Sequence, residues 1–106
     1  MVQVIWQAKA RKKLEKTLVF SYNEFGKTTM ERFILELELI EKRLRKFPAS
    51  YPPIQLLKDK KRKYRGAMVM DNFLIVYYHV SSSKNVRVVD FWDMRRSPEV
   101  LIKSIR

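Results

Sequence analysis

The densest chemistry in the sequence is cationic. Residues 58–65 read KDKKRKYR, six Lys or Arg against one Asp, which is +5 in eight residues. A run of this kind leading into a strand sets cations along the edge of a sheet, where they can meet phosphates. Lys58, Lys60, Lys61, Arg62, Lys63 and Arg65 are therefore candidate anion-binding residues. A second cationic pair, Arg95 and Arg96, ends the stretch VVDFWDMRRSPEV (88–100), just after Trp92 and Asp93. His79 is the one side chain with an ordinary pKa near neutrality, and so the first general acid or base to consider. Tyr77 and Tyr78 offer a ring for base stacking or a phenol, although neighbours on a strand point to opposite faces and one of them must enter the core. Cleavage of RNA needs a base for the 2′-hydroxyl, cations for the phosphorane charge and an acid for the leaving oxygen. Arg65, His79, Arg95 and Arg96 make up that parts list, with Tyr77 beside the basic run as a binding residue. Each has a plainer reading: a solvated loop, a satisfied histidine at a strand end, a polar finish to a strand.

Other chemistries are poorly supplied. The chain has no cysteine and one histidine, so thiolate chemistry and a zinc site are not expected, and no metal or cofactor is called for. Two glycines do not make a phosphate-cradling loop. Asp90 and Asp93 fall on opposite faces of a regular strand, which is wrong for paired-carboxylate metal chemistry. Asp93 is better placed to pair with a nearby arginine. The net charge of +12 over 106 residues calls for a polyanionic partner, and 46% apolar residues call for a folded core. No segment has membrane-spanning or signal-peptide length, so the expectation is a cytoplasmic protein with no membrane partner.

The elements that must carry these residues follow from periodicity. VQVIW (2–6) reads as a first strand. Ala10, Leu14, Leu18, Tyr22 and Phe25 then recur at helical spacing, and Gly26 suits a helix end, giving a helix over 7–25. Thr28 and Glu31 have capping-box spacing at the start of a second helix. Its apolar positions run from Met30 to Phe47, with Leu35 and Leu39 widening the stripe, and Pro48 stops it. Glu38 with Lys42 and Glu41 with Arg45 are expected as i,i+4 pairs. Three strands follow at 64–70, 73–80 and 86–92, with Asp71-Asn72 as a tight turn and SSSKN (81–85) as a longer one. Alternation puts Phe73, Ile75, Tyr77 and His79 opposite Leu74, Val76, Tyr78 and Val80. Ser97 and Pro98 open a short last helix. The expectation is a single α+β domain over 1–106, order β-α-α-β-β-β, with an antiparallel sheet packed against a helical hairpin and a short C-terminal helix.

In this order, VIWQAKARKKLEK, FGKTTMERFILELELIEKRL, FPASYP with the basic loop after it, YRGAMVMDNFLIVYYHV and VRVVDFWDMRRSPEVL resemble the RelE/ParE superfamily of toxins from type II toxin–antitoxin systems. The resemblance covers nearly the whole chain. It implies a small basic toxin neutralised by a cognate antitoxin whose amphipathic, acidic C-terminal segment wraps over it. RelE-like members cut mRNA on the ribosome without a metal; ParE-like members poison DNA gyrase and are not nucleases. Arg65 matches the basic position of the strand before the hairpin, and Arg95 or Arg96 the C-terminal basic position. Two features depart from the RelE pattern: Leu74 rather than arginine follows Phe73, and no tyrosine lies in SPEVLIKSIR. Ribosome-dependent mRNA cleavage is the leading expectation. Gyrase inhibition, or an interaction domain of this fold without activity, is the alternative.

Overall fold

The computed structural model describes all residues from Met1 to Arg106. A first strand, β1 (Gln3–Trp6), leads into α1 (Ala8–Phe25) and α2 (Lys27–Lys46). A single 3-10 turn at Gln55–Leu57 precedes β2 (Arg65–Val69), β3 (Phe73–His79), β4 (Asn85–Asp93) and α3 (Pro98–Ser104). The sheet order is β1-β4-β3-β2. The last three strands form the expected antiparallel meander, but β1 pairs with β4 in parallel, so the sheet is mixed. A side-chain period of two says which face a residue takes and nothing about the direction of its partner. Here the helical hairpin carries the chain from β1 to β2 at the opposite edge of the sheet, and the meander then brings β4 back beside β1 in the same direction.

Gly26 makes the hairpin possible. It is the residue between the two helices, with φ 88° and ψ −180°, a region essentially reserved for glycine. Its N–H donates to the Tyr22 carbonyl at 3.0 Å while its own carbonyl accepts from Met30 N–H at 3.3 Å. The turn is so tight that α2 starts at Lys27, and Thr28 lies inside the helix. The capping box therefore does not form, and Glu31 pairs instead with Lys27 at 3.7 Å. Of the two expected i,i+4 pairs on α2, Glu41–Arg45 forms at 3.3 Å and Glu38–Lys42 does not. Glu41 also accepts from the Trp6 indole at 2.6 Å, which ties α2 to β1.

The sheet is covered on both faces. On the hairpin side Ala10, Phe33, Leu37, Ile40 and Leu44 pack on Ala67, Val69, Ile75, Tyr77, Val86, Val88 and Phe91. Burying each large side chain there stabilises the fold by about 1.5–3 kcal/mol. Phe33, Phe73 and Phe91 form an aromatic knot with ring centroids 5.2–6.0 Å apart. On the other side Leu57, Tyr64, Leu74, Val76, Val89, Trp92, Leu101 and Ile105 form a second core under α3 and the 53–64 segment. The alternation read for 73–79 holds across this divide. A bulge between Val76/Tyr77 and β4 leaves Val89 without a partner on β3, so Phe91 rather than Asp90 faces the helices.

Local readings fail where apolar residues are left outside. Leu35, Leu39, Tyr22 and Phe25 sit at helical spacing yet are at least half exposed. The hairpin offers its core stripe to the sheet alone, and these side chains lie beyond it. The β2–β3 turn comes one residue earlier than Asp71-Asn72: β2 ends at Val69, and Met70 and Asp71 take positive φ. Ser97 does not cap α3 through its side chain, because its hydroxyl bonds the Glu99 carboxylate.

Candidate functional site

The four residues read as a catalytic set do not converge. Arg65 pairs with Tyr77 across β2 and β3, so both face the hairpin. The Arg65 guanidinium donates to the Tyr51 carbonyl at 2.7 Å, and the Tyr77 hydroxyl donates to the Pro48 carbonyl at 2.8 Å. Tyr51 stands edge-on to Tyr77 at 6.3 Å and carries Arg43 over its ring at 5.0 Å. The cluster clamps the 48–51 loop to the sheet. Tyr77 is fully buried, and burial pushes its phenol up from 10.0 to about 12. A sealed ring cannot stack a base, so the binding role read for Tyr77 is corrected to a structural one.

His79 ends β3, where its Nε2 lies 2.9 Å from the Ser83 carbonyl, a local contact that closes the 80–84 turn. Arg95 and Arg96 are at the opposite end of the same strand pair, since Phe73 pairs with Asp93. The seven residues of β3 put roughly 20 Å between these ends. Arg95 makes a two-pronged pair with Asp93, both bonds 2.9 Å, as the sequence led one to expect. The hydrogen bond from Arg95 holds the Asp93 carboxyl below the usual range, and Asp93 in turn raises Arg95. Arg96 is exposed and lies over the Trp92 ring at 5.3 Å.

What the fold does assemble is a cationic pocket on the face away from the hairpin. It has a volume of about 540 Å³, and its charged side chains are Lys9, Lys61, Arg62 and Arg106, with no acidic side chain. Tyr64 and Tyr78 form the floor, edge to face at 5.8 Å, and Arg62 lies over Tyr78 at 4.4 Å. Burial raises the Tyr64 phenol, Tyr78 adds to that, and Arg62 partly opposes it; the hydroxyl donates to the main-chain oxygen of Arg106 at 3.2 Å. A smaller pocket of about 330 Å³ takes the remaining cations of the run, Lys58, Lys60 and Lys63. The site can hold an anion by charge, and its one partly exposed ring is Tyr78 rather than Tyr77. Lys9 and Arg106 were missed in the sequence. Their signal was weak: a lysine in a basic helix and a basic last residue, brought beside residues 61–64 only by the fold. No three His, Cys, Asp or Glu side chains converge as metal ligands, and no helix is long and apolar enough to cross a membrane.

Residues 4–98 match the family described as ParE toxin of type II toxin-antitoxin system, parDE. This chain belongs to the ParE toxin family. Its fold is also that of a solved chain titled "Chromosomal ParDE TA system from P. aeruginosa", with a TM-score of 0.67 at 12% identity, covering 88% of this chain and 96% of that one. Comparison with curated proteins gives no match. As a ParE-family toxin the protein is the toxin component of a type II toxin–antitoxin system, and a cognate antitoxin is its partner.

Proposed function

We propose that this ParE-family toxin arrests growth by binding its target, as ParE-like members do with DNA gyrase, and does not cleave mRNA. One observation carries the reading: the cationic pocket holds neither a histidine nor an acidic side chain to serve as a general base at neutral pH. The Tyr64 phenol is raised, the wrong direction for a base. Tyr77 is sealed under the 48–51 loop, and His79 is bonded to Ser83 beyond the pocket's lining. The cations Lys9, Lys61, Arg62 and Arg106 are then contacts for an acidic or phosphate-bearing surface of the target. The antitoxin's amphipathic acidic segment has a separate match on α2, where Leu39 and Phe47 line an apolar groove rimmed by Lys42, Arg43 and Lys46. The family's activity supplies the choice of gyrase; the pocket's chemistry supports binding without cleavage.

The test is to map mRNA 5′ ends in cells after brief induction of the chain. Intact transcripts with arrested growth and an induced DNA-damage response are expected. New cuts within translated codons, absent from an Arg62→Ala variant, would overturn the reading in favour of a ribosome-dependent endoribonuclease.

A further inference from the structure

Along one side of α1, Lys9, Lys13 and Lys16 lie at i, i+4 and i+7, a single stripe about 10 Å long. Lys9 lines the cationic pocket, while Lys13 and Lys16 line another of about 250 Å³ together with Arg96 and Trp92. One carboxylate links the two. Asp90 holds Lys13 at 2.8 Å through one oxygen and Lys9 at 3.6 Å through the other. Trp92, only 2% exposed, supports Lys13 at 5.5 Å and Arg96 at 5.3 Å. The carboxylates along the run offset it only in part: Asp90 answers one charge of the two lysines that flank it, and Asp93 is matched by Arg95, outside the stripe.

We infer that this stripe, running from Arg62 and Arg106 through Lys9, Lys13 and Lys16 to Arg96, is a binding track for the phosphate backbone of duplex DNA. Three features select that occupant. The track is led by charge, with Phe20 and Met94 exposed only beyond its Lys16 and Arg96 end, whereas an amphipathic acidic peptide needs an apolar groove among its cations, which the chain offers at Leu39 and Phe47 instead. Between Arg96 and Lys9 the rings are covered: Trp92 is sealed under its two cations, and the partly buried Phe73 carries Arg95 over it at 5.8 Å. Single strands are held by stacking their bases on open rings, while a duplex keeps its bases stacked internally and presents phosphates alone. The stripe's length covers about three base-pair steps along the duplex axis, at roughly 3.4 Å each. The inference does not rest on the growth-arrest reading, since a toxin that binds or one that cuts could carry such a track.

The experiment is fluorescence anisotropy of the purified full chain with a labelled 20-base-pair DNA of arbitrary sequence, repeated over a series of salt concentrations. Lys16→Ala with Arg96→Ala is expected to weaken binding about tenfold and to make the log–log salt slope shallower by about two, because each removed cation leaves one phosphate with its own counterion. Arg11→Ala with Arg32→Ala removes the same charge from exposed positions outside both pockets and should change affinity less than about threefold. Circular dichroism and the thermal midpoint report whether each variant folds; if the first pair does not, Lys16→Glu alone carries the same reading. Equal losses from the two pairs, tighter binding of a 20-nucleotide single-stranded RNA than of the duplex, or no duplex binding at low salt would each overturn the track.

Discussion

Lys13 donates to Asp90 at 2.8 Å, and the carboxylate it reaches has no exposed surface. The contact lies where the sheet would otherwise be open. β1 pairs with β4 only as far as Val88, so the edge of β4 beyond it is covered by α1. Asp90 stands on that edge. Its Oδ1 also accepts from the Phe91 N–H at 2.8 Å, and its Oδ2 lies 3.4 Å from the Ser104 hydroxyl, whose nearer acceptor is the Leu101 carbonyl at 2.9 Å. One carboxylate thus fastens the first helix to the last strand, beside the last helix, and fixes the two lysines over which the cationic stripe runs.

Removing Lys13 leaves the buried carboxylate only the more distant Lys9, at 3.6 Å, to offset its charge. Lys13→Ala should destabilise the chain by about 2–3 kcal/mol, below the full buried-pair cost because the lysine keeps some solvent. Asp90→Asn should cost less, since both lysines can turn to water. Urea midpoints at neutral pH check the order. If the Lys13 variant unfolds at the wild-type midpoint, the pair is ornamental.

The Tyr77 phenol makes stability depend on alkaline pH. In the folded chain it ionises at about 12, against 10.0 for an ordinary tyrosine. Between those values the unfolded chain loses the proton and the folded chain keeps it, so stability is complete below pH 10 and declines as pH rises toward 12. Tyr77→Phe should flatten that decline relative to the wild type. At pH 7 it should cost about 1 kcal/mol for the missing hydrogen bond to Pro48. Denaturant titrations across the alkaline range, compared between the two chains, provide the measurement. Identical slopes would mean that the phenol is not sealed.

Much of the fold was legible because burial acts on one residue at a time. The alternation of Ile75 and Tyr77 against Leu74 and Val76 gave the two faces of β3, and the period of Phe33, Leu37, Ile40 and Leu44 gave the inward side of α2. Relations between distant elements were not written in this way. Nothing local marks β1 as parallel to β4, or shows that Gly26 closes the hairpin tightly enough to draw Thr28 inside the helix. The same limit applies to the site. KDKKRK was visible as charge, but its pocket needs Lys9 and Arg106 from the two ends of the chain. Alternation required one of Tyr77 and Tyr78 to be buried. It did not say which, because a sheet covered on both faces makes either tyrosine a reasonable core residue.

The two glycines should respond to alanine for opposite reasons. At Gly26 a Cβ meets no atom within 4 Å, but φ is 88°, so the cost is backbone strain of about 1–3 kcal/mol. At Gly66 a Cβ falls 2.7 Å from Leu74 Cδ1 and 3.1 Å from Ile54 Cγ1, so the cost is overpacking, about 1–2 kcal/mol. Leu74→Ala should therefore rescue part of the Gly66→Ala loss and none of the Gly26→Ala loss. A double-mutant cycle from thermal or urea unfolding reads the difference. Additive losses at Gly66 and Leu74 would contradict the steric account.

Growth arrest should separate the cationic pocket from the residues that first looked catalytic. Arg62 is exposed, lines the pocket and lies over Tyr78, so Arg62→Glu reverses charge at the pocket without opening the core. It should abolish arrest in induced cells at normal protein level. His79→Ala removes only a contact to the Ser83 carbonyl and should leave arrest intact. Arg65→Ala frees the Tyr51 carbonyl and loosens the 48–51 loop, so its effect should follow the amount of folded chain rather than the chemistry of a site. Colony counts after induction, with the soluble protein quantified alongside, distinguish these cases. Loss of arrest in a well-folded His79→Ala chain would restore proton transfer to the mechanism, because that ring has no hydrogen bond beyond its own turn.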